Sequence, residues 1–112
     1  MVELWGDGEQ KRELIHVSDF VDAVLRLNET QRNTHINVGS GQEYSIREFA
    51  ALVCETVGYP FTDIVYDTSK YMGARSKVLN VEKLRCLLPH CLWTDLLSGL
   101  KETINWIEVH HA

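Results

Sequence analysis

Short segments in which apolar residues alternate with polar ones, or briefly follow one another, predict the β-strands of this chain. Residues typical of turns bound these segments, as Gly6-Asp7-Gly8 does after the first. The predicted strands cover residues 2–5, 12–17, 35–38 and 63–66. Because these strands are short, helices must supply much of the apolar surface that forms a core.

Apolar residues that recur every three or four positions predict four helices. Ser18 is the expected N-cap of the first helix, and Ser45 with Glu48 has the spacing of a capping box before the second. The predicted helices cover residues 18–27, 46–57, 81–88 and 94–108. The residues that give the first helix its apolar side are Phe20, Val21, Val24, Leu25 and Leu27.

These elements, within 112 residues, predict one domain over residues 1–112. Its class is α/β, or α+β as an isolated piece, with about four helices and three or four short strands. The strands are too few to complete a nucleotide-binding sheet. Apolar residues make up 45% of the chain and charged residues 24%, which is typical of an ordinary folded protein.

Charge and cysteine content limit the expected partners and location. The net charge is -5, so we expect no binding to nucleic acid. No apolar run approaches the ~20 residues of a membrane helix and the first residues do not resemble a signal peptide, which predicts a cytoplasmic protein without membrane contact. The three cysteines are expected to be reduced, and Cys86, His90 and Cys91 are not expected to bind a metal.

Two short motifs resemble parts of an active site, and both are weak. Tyr66 and Lys70 have the spacing of an acid/base couple, but that couple requires a helix and these residues lie at the end of a predicted strand. Gly39-Ser40-Gly41 precedes a predicted helix as a dinucleotide-binding loop does, but Tyr44 stands where a third glycine is needed. We interpret the first motif as a coincidence of spacing and the second as a tight turn, although a helix start there is able to face an anionic ligand.

Five longer motifs follow one another in a fixed order along nearly the whole chain. They are Trp5-Gly6-Asp7-Gly8, Arg12-Glu13-Leu14-Ile15-His16-Val17-Ser18-Asp19, Ile36-Asn37-Val38-Gly39-Ser40-Gly41, Ser45-Ile46-Arg47-Glu48, and Asp67-Thr68-Ser69-Lys70 with Gly73 and Lys77. In this order they resemble the C-terminal part of the extended short-chain dehydrogenase/reductases, the NAD-dependent epimerase/dehydratase family. The resemblance is greatest to the branch that forms GDP-L-fucose.

The resemblance implies a substrate-binding portion that lacks the N-terminal Rossmann cofactor domain. In that branch the whole enzyme, expected to be a homodimer, epimerises and reduces GDP-4-keto-6-deoxy-mannose with NADPH. Its catalytic Ser, Tyr and Lys and its NADP(H)-binding loop lie in the N-terminal part. We therefore expect this chain alone to have no catalytic residue, to bind no NADP(H) and to be inactive. The implied partners are a GDP-linked or related nucleotide sugar and the Rossmann domain.

The resemblance also implies substrate-binding residues. Arg12 matches a residue that contacts the diphosphate, and Trp5 matches one that lines the substrate pocket. An arginine fork holds two phosphate oxygens and an indole offers a flat face to a sugar or base, although a solvated Arg12 and a core Trp5 are the alternatives. Lys70 and Lys77 match basic residues of the following loop. Together with Arg75 they are the local candidates for meeting a diphosphate in an acidic protein.

The chain departs from the family pattern within that loop. Tyr71-Met72-Gly73 stands where Pro-Asp-Gly is common, so a methionine replaces the acidic residue expected to contact substrate. Ser76 replaces an arginine, which Arg75 can supply from the neighbouring position, and Asn80 replaces an aspartate. These changes leave the base and the sugar open. A free-standing, non-catalytic module that binds a nucleotide sugar or a protein, and a part of another nucleotide-sugar epimerase/dehydratase, are the alternative functions.

Overall fold

A computed structural model describes residues 1–111, in which strands and helices follow one another along the chain. The strands are β1 (Val2–Trp5), β2 (Lys11–Glu13), β3 (Glu43–Ser45) and β4 (Ile64–Asp67). The helices are α1 (Val17–Thr30), α2 (Ile46–Val57), α3 (Glu82–Leu87) and α4 (Leu96–His111), and one 3-10 turn covers Phe61–Asp63. The α/β class expected from the sequence is confirmed. Across residues 1–111, every helix falls short of the length and hydropathy that a membrane span requires.

The strands form two separate pairs. β1 and β4 are parallel, with Trp5 opposite Asp67, so the long connection between them contains most of the other elements. β2 and β3 are antiparallel, with Arg12 opposite Tyr44. The turn at residues 6–8 joins β1 to β2 and therefore brings the end of one pair next to the start of the other.

The core is small and lies mainly between α1 and α3. Leu27, Val81 and Leu84 are buried together, and Leu84 is the most completely buried large side chain of residues 1–111. The partly buried residues that pack on them are Ile36, Val38, Leu87, Leu88 and Trp93. Most other large apolar side chains keep part of their surface in solvent, so much of the apolar surface of the chain has no cover within residues 1–111.

The capping box of α2 forms as predicted. The Ser45 hydroxyl accepts the Glu48 N–H at 3.0 Å, and the Glu48 carboxylate accepts the Ser45 N–H at 2.6 Å. Gly58 ends the helix with a φ of 72°. For α1 the predicted N-cap is wrong: the helix begins one residue earlier, and His16 is the cap because its Nδ1 accepts the Ser18 N–H at 3.3 Å.

The strand predicted over residues 35–38 is wrong, although its apolar pattern is real. Ile36 and Val38 pack on the core, but no backbone–backbone hydrogen bond within residues 1–111 involves residues 35–38. An alternating pattern specifies which face is buried, whereas a strand also needs a neighbour to pair with. We call residues 35–38 the unpaired segment. The short β3, not predicted, forms because β2 lies beside it, and the second predicted strand ends early, at Glu13.

One side of α1 is apolar and uncovered. Of the five residues predicted to form the apolar side of this helix, only Leu27 is buried, since Leu25 is 60% exposed and Phe20, Val21 and Val24 are also exposed. Ala23 is fully buried as well, and it lies one turn before Leu27, so the two form a narrow buried strip next to the exposed residues. The apolar face of α1 consists of Val17, Phe20, Val21, Val24 and Leu25, which share the spacing of one helix face.

Candidate functional site

Trp5 lies at the end of β1, where the chain leaves the parallel pair. Its side chain is 59% exposed, so the indole offers a face to solvent. The ammonium nitrogen of Lys70 lies 5.7 Å from the centre of the ring, within the range of a cation–π contact. Lys70 reaches this position because the turn after β4 folds back: its N–H donates to the carbonyl of Asp67, the residue opposite Trp5.

The turn that follows Trp5 packs directly on β4. Gly8 has a φ of +79°, and a Cβ at this position would lie 2.5 Å from Cε1 of Tyr66. Only glycine meets both conditions without a shift of its neighbours. The turn is therefore held close to the sheet, where a second segment crosses over it.

That second segment is the basic loop, residues 70–77. Met72 accepts the Asp7 N–H through its sulfur at 3.4 Å, and its side chain lies against Gly6. The guanidinium of Arg75 donates to the Asp7 carboxylate at 2.9 Å, and the Arg75 carbonyl accepts the Lys11 N–H at 2.7 Å. The loop is thus tied both to the turn and to the first residue of β2.

Asp7 is ionised in this arrangement. Its carboxylate accepts the Glu9 N–H at 2.8 Å in addition to the Arg75 guanidinium. The Glu9 hydrogen bond first, and the Arg75 hydrogen bond second, hold the pKa of Asp7 below its ordinary value. The ion pair with Arg75 consequently persists at neutral pH.

Arg12 projects from β2 and holds the middle of the basic loop. Its Nη1 donates to the Lys11 carbonyl at 2.6 Å and to the Ala74 carbonyl at 2.7 Å, and its Nη2 donates to the Met72 carbonyl at 3.4 Å. Its Nε and the remaining N–H of Nη2 donate no hydrogen bond within residues 1–111. These two groups lie on one edge of the guanidinium and form a fork of the kind that binds an oxyanion bidentately.

Lys77 lies beyond Arg12, where the chain runs beside β2. The Ser76 hydroxyl donates to the Glu43 carboxylate at 2.5 Å, and the Leu79 N–H donates to the Glu13 carboxylate at 3.2 Å. The Lys77 side chain is exposed between these two anchors. The structure therefore brings Trp5 and Lys70 into contact and places Arg12 against the basic loop. Arg75, within that loop, pairs with Asp7, and Lys77 lies at its far end.

The glycines at 39 and 41 accommodate a carboxylate of the chain itself. The Gly41 N–H donates to Glu13 at 2.5 Å, and a Cβ on Gly39 would lie 2.9 Å from the same carboxylate. The segment continues into β3 before α2 begins, so these glycines do not open a helix. Glu13 occupies the position in which an anionic ligand would contact these N–H groups.

Tyr66 and Lys70 have separate partners. The guanidinium of Arg47 lies 4.3 Å from the centre of the Tyr66 ring, whereas Lys70 lies over Trp5. An acid/base couple requires its two groups close enough to share a proton or a strong field. Nothing in this geometry couples the phenol of Tyr66 to the Lys70 ammonium.

A cavity of about 560 Å³ lies elsewhere, between the residues after β2 and the start of α4. Its lining is mainly apolar and includes Leu14, Tyr44 and Leu100 but no lysine or arginine. His16 forms part of the wall, with its Nε2 3.5 Å from the Glu102 carboxylate. An apolar cavity without a cation is poorly suited to a diphosphate, so Trp5, Arg12 and the basic loop are the better candidate site.

Sequence reasoning missed Asp7, Met72 and Glu13, which organise this site. Asp7 and Arg75 are 68 positions apart, and no local spacing connects them. The sequence identified Met72 only as a replacement for an acidic residue that contacts substrate. In the structure its sulfur accepts the Asp7 N–H and its carbonyl accepts from Arg12. The close glycines around Glu13 were the one available signal, because a glycine often marks a close approach of another group.

Comparison with protein families matches residues 1–39 to the NAD-dependent epimerase/dehydratase family. A dTDP-4-dehydro-6-deoxy-D-allose reductase of a Streptomyces species is 37% identical over 109 residues, covering 97% of this chain and 33% of that protein. A putative GDP-L-fucose synthase of Arabidopsis thaliana is 39% identical, covering 94% of this chain and 32% of its own length. The chain thus spans about a third of the length of the curated relatives it matches.

A solved structure extends this similarity to three dimensions. The GDP-mannoheptose C4 reductase of Campylobacter jejuni, determined with NADP bound, superimposes with a TM-score of 0.78 at 30% identity. The superposition covers 95% of this chain and 34% of that enzyme. The fold of this chain therefore resembles about a third of that larger enzyme.

Proposed function

This chain belongs to the NAD-dependent epimerase/dehydratase family, and on that premise we propose that it binds a nucleoside-diphosphate sugar through Trp5, Arg12 and the basic loop. The observation that carries the proposal is the free edge of Arg12. The carbonyls of Lys11, Met72 and Ala74 accept hydrogen bonds from Nη1 and Nη2, so the plane of the guanidinium is fixed before any ligand arrives. A fixed fork loses little freedom when it binds two phosphate oxygens.

Trp5 and Lys70 suit the remainder of such a ligand. An exposed indole provides a flat apolar face for a sugar or a base, and the Lys70 ammonium beside it provides a cation for the diphosphate. Arg75 donates one N–H to the Asp7 carboxylate and is otherwise exposed, and Lys77 is also exposed. We propose that these two residues add positive potential at the edge of the site and thereby offset the net charge of -5.

At the finer level, we propose that the whole enzyme is similar to a GDP-L-fucose synthase. Its reaction would be the NADPH-dependent epimerisation and reduction of GDP-4-keto-6-deoxy-mannose. The relatives named GDP-L-fucose synthase and GDP-L-colitose synthase support a GDP-linked substrate, at 39% and 37% identity. A dTDP-sugar reductase at 37% identity supports the alternative of another nucleotide sugar. In either case NADP(H) supplies the hydride, and residues of this chain orient the sugar nucleotide.

We further propose that a Rossmann-type cofactor domain packs on the apolar face of α1 and on the unpaired segment. The face presents Phe20, Val21, Val24 and Leu25 to solvent, which is a contiguous apolar surface of the kind found at interfaces. The His35 carbonyl of the unpaired segment accepts from Lys83, but its other backbone N–H and C=O groups form no hydrogen bond within residues 1–111 and can extend a sheet. Together they support a domain-to-domain interface in a longer protein.

Calorimetric titration of the purified chain with GDP, GDP-mannose, UDP-glucose and NADPH tests the binding proposal. We expect GDP-linked ligands to bind and NADPH not to bind. We expect Arg12→Ala to weaken the binding by more than about 1.5 kcal/mol, because a charge-assisted contact is lost. Arg32→Ala is the matched control, since Arg32 also donates to two carbonyls, those of Asn28 and Gln31, on an exposed surface.

Two results would contradict the proposal. One is a folded chain, verified by circular dichroism, that binds none of the nucleotide sugars at millimolar concentration. The other is an Arg12→Ala variant that binds as tightly as Arg32→Ala. A preference for UDP-glucose over GDP-mannose would support the second nucleotide-sugar alternative, because base recognition separates the two ligand classes.

A further inference from the structure

Every polar group of Asp7 has a hydrogen-bond partner, and two of these partners belong to the basic loop. Its N–H donates to the sulfur of Met72 at 3.4 Å, and its carbonyl accepts from Arg47 at 3.2 Å. Its carboxylate accepts the Glu9 N–H at 2.8 Å and the Arg75 guanidinium at 2.9 Å. Asp7 therefore joins its own turn to the basic loop and to α2.

The two contacts with the basic loop lie on either side of the Arg12 clamp. Met72 is held at one side by the Asp7 N–H, and Arg75 is held at the other by the Asp7 carboxylate. Arg12 donates to the carbonyls of Met72 and Ala74, within the same stretch of four residues. Whatever fixes residues 72–75 therefore also fixes the plane of the Arg12 guanidinium.

The same loop begins at Lys70, two residues before Met72. Lys70 lies over Trp5 and has only the short turn after β4 as its other support. If residues 72–75 moved away from the turn, Lys70 would lose its position beside the indole and Arg12 would lose its loop acceptors. Both cationic contacts of the candidate site thus depend on the position of residues 72–75, which Asp7 holds from the side of the turn.

From this geometry we infer that Asp7 is a positioning residue for the nucleotide-sugar site, acting through Arg75 and the basic loop. Asp7 does not contact the ligand; a carboxylate beside a diphosphate repels it. Its contribution is to keep Arg12 and Lys70 in the orientation that binds the diphosphate. The inference rests on the proposed binding function, and the two are separated by the measurements below.

The first test reads the loop without any ligand. The Lys11 N–H donates to the Arg75 carbonyl at 2.7 Å, so its hydrogen exchange reports whether the loop is docked. We expect Asp7→Asn, which keeps an acceptor for Glu9 but removes the charge, to accelerate exchange at Lys11 severalfold. The Gly6 N–H, which donates to Asp67 at 2.8 Å, is the internal control and should keep its rate. Unchanged exchange at Lys11 would overturn the inference.

The second test measures the affinity of the Asp7→Asn variant for GDP-mannose. Whether this affinity rises or falls distinguishes the two roles. Asp7→Asn removes a negative charge near an anionic ligand, so a purely electrostatic role predicts tighter binding. Positioning predicts weaker binding, by about threefold at physiological salt, as expected for an exposed ion pair. Asp22→Asn is the matched control, because Asp22 forms a similar exposed pair with Arg26 at 2.8 Å on α1.

The outcomes distinguish the inference from the function on which it rests. Weaker binding by Asp7→Asn, with Asp22→Asn unchanged, supports the positioning role. If the unmodified chain binds GDP-mannose and Asp7→Asn binds it equally well or more tightly, the positioning role is wrong and the binding function stands. If the folded, unmodified chain binds no nucleotide sugar, the binding function fails and Asp7 has no ligand site to position.

Discussion

At the scale of single residues, the site depends on side chains that serve more than one neighbour. Arg12 holds the Met72 and Ala74 carbonyls with one side of its guanidinium and keeps the other edge free. Glu13 accepts from Gly41 and Leu79 and so joins two segments to β2. Substitution of such a residue changes the position of its neighbours as well as its own contact, which is why each control above removes comparable contacts away from the site.

Gly8 is the residue at which backbone strain and close approach act together. We expect Gly8→Ala to destabilise the fold by about 2–4 kcal/mol for two reasons. The backbone of an alanine is strained at a φ of +79°, and its Cβ would lie 2.5 Å from Cε1 of Tyr66. Gly58→Ala should cost only about 1–2 kcal/mol, since Gly58 has a φ of +72° with nothing within 4 Å of its Cβ position. Urea denaturation measures the difference, and equal losses for the two variants would show that Tyr66 moves aside.

At the scale of secondary-structure elements, α1 separates an inner side from an outer one. Ala23 and Leu27 are buried, whereas Leu25, between them in sequence, is 60% exposed. Asp19, on the first turn of α1, accepts the Thr94 N–H at 2.7 Å and the Thr94 hydroxyl at 3.0 Å, which links this helix to the segment before α4. The position of α1 thus follows from the buried strip of Ala23 and Leu27 and from the contact of Asp19 with Thr94. Its wider apolar face is exposed to solvent.

Two leucines of α1 test this orientation. We expect Leu27→Ala to lower the free energy of unfolding by about 2–5 kcal/mol, because it removes packing from the core. We expect Leu25→Ala to change it by less than about 1 kcal/mol, since the Leu25 side chain is mostly in solvent. Chemical denaturation of both variants measures the contrast. A larger loss at Leu25 would show that the helix is rotated so that its wide apolar face is inward.

At the scale of the whole molecule, the chain carries more apolar surface than its small core covers. The five buried apolar residues of 1–111 are Ala23, Leu27, Cys54, Val81 and Leu84. The exposed apolar face of α1 lies on a chain that spans about a third of the length of its curated relatives. In the proposed longer enzyme the cofactor domain covers this surface, and in the isolated chain it is open to other contacts.

We therefore expect the isolated chain to self-associate at high concentration and to bind a dye specific for apolar surface. Val21→Lys with Val24→Lys should reduce both effects, because charges in the centre of the apolar face of α1 oppose its burial. Val109→Lys on α4 is the control, since Val109 is 70% exposed outside that face. Sizing by analytical ultracentrifugation provides the measurement. A sharp monomer for the unmodified chain without dye binding would contradict the expectation.

The sequence by itself determined the features that depend on nearby residues. The capping box of Ser45 and Glu48 and the glycine that ends α2 were predictable, because their contacts lie within one helix and its ends. The order of motifs indicated the family. The same pattern also marked Trp5, Arg12 and the basic residues as candidates, but their roles stay predictions until binding is measured.

Only the tertiary structure decided which groups meet across the chain. The unpaired segment has the pattern of a strand but no neighbour in residues 1–111, and the apolar face of α1 has the pattern of a core helix but no cover. Asp7 and Arg75, 68 positions apart, form the ion pair that fastens the basic loop. The physical reason is that periodicity and caps record local preferences, whereas pairing, burial and the free edge of Arg12 depend on what else occupies the neighbouring space.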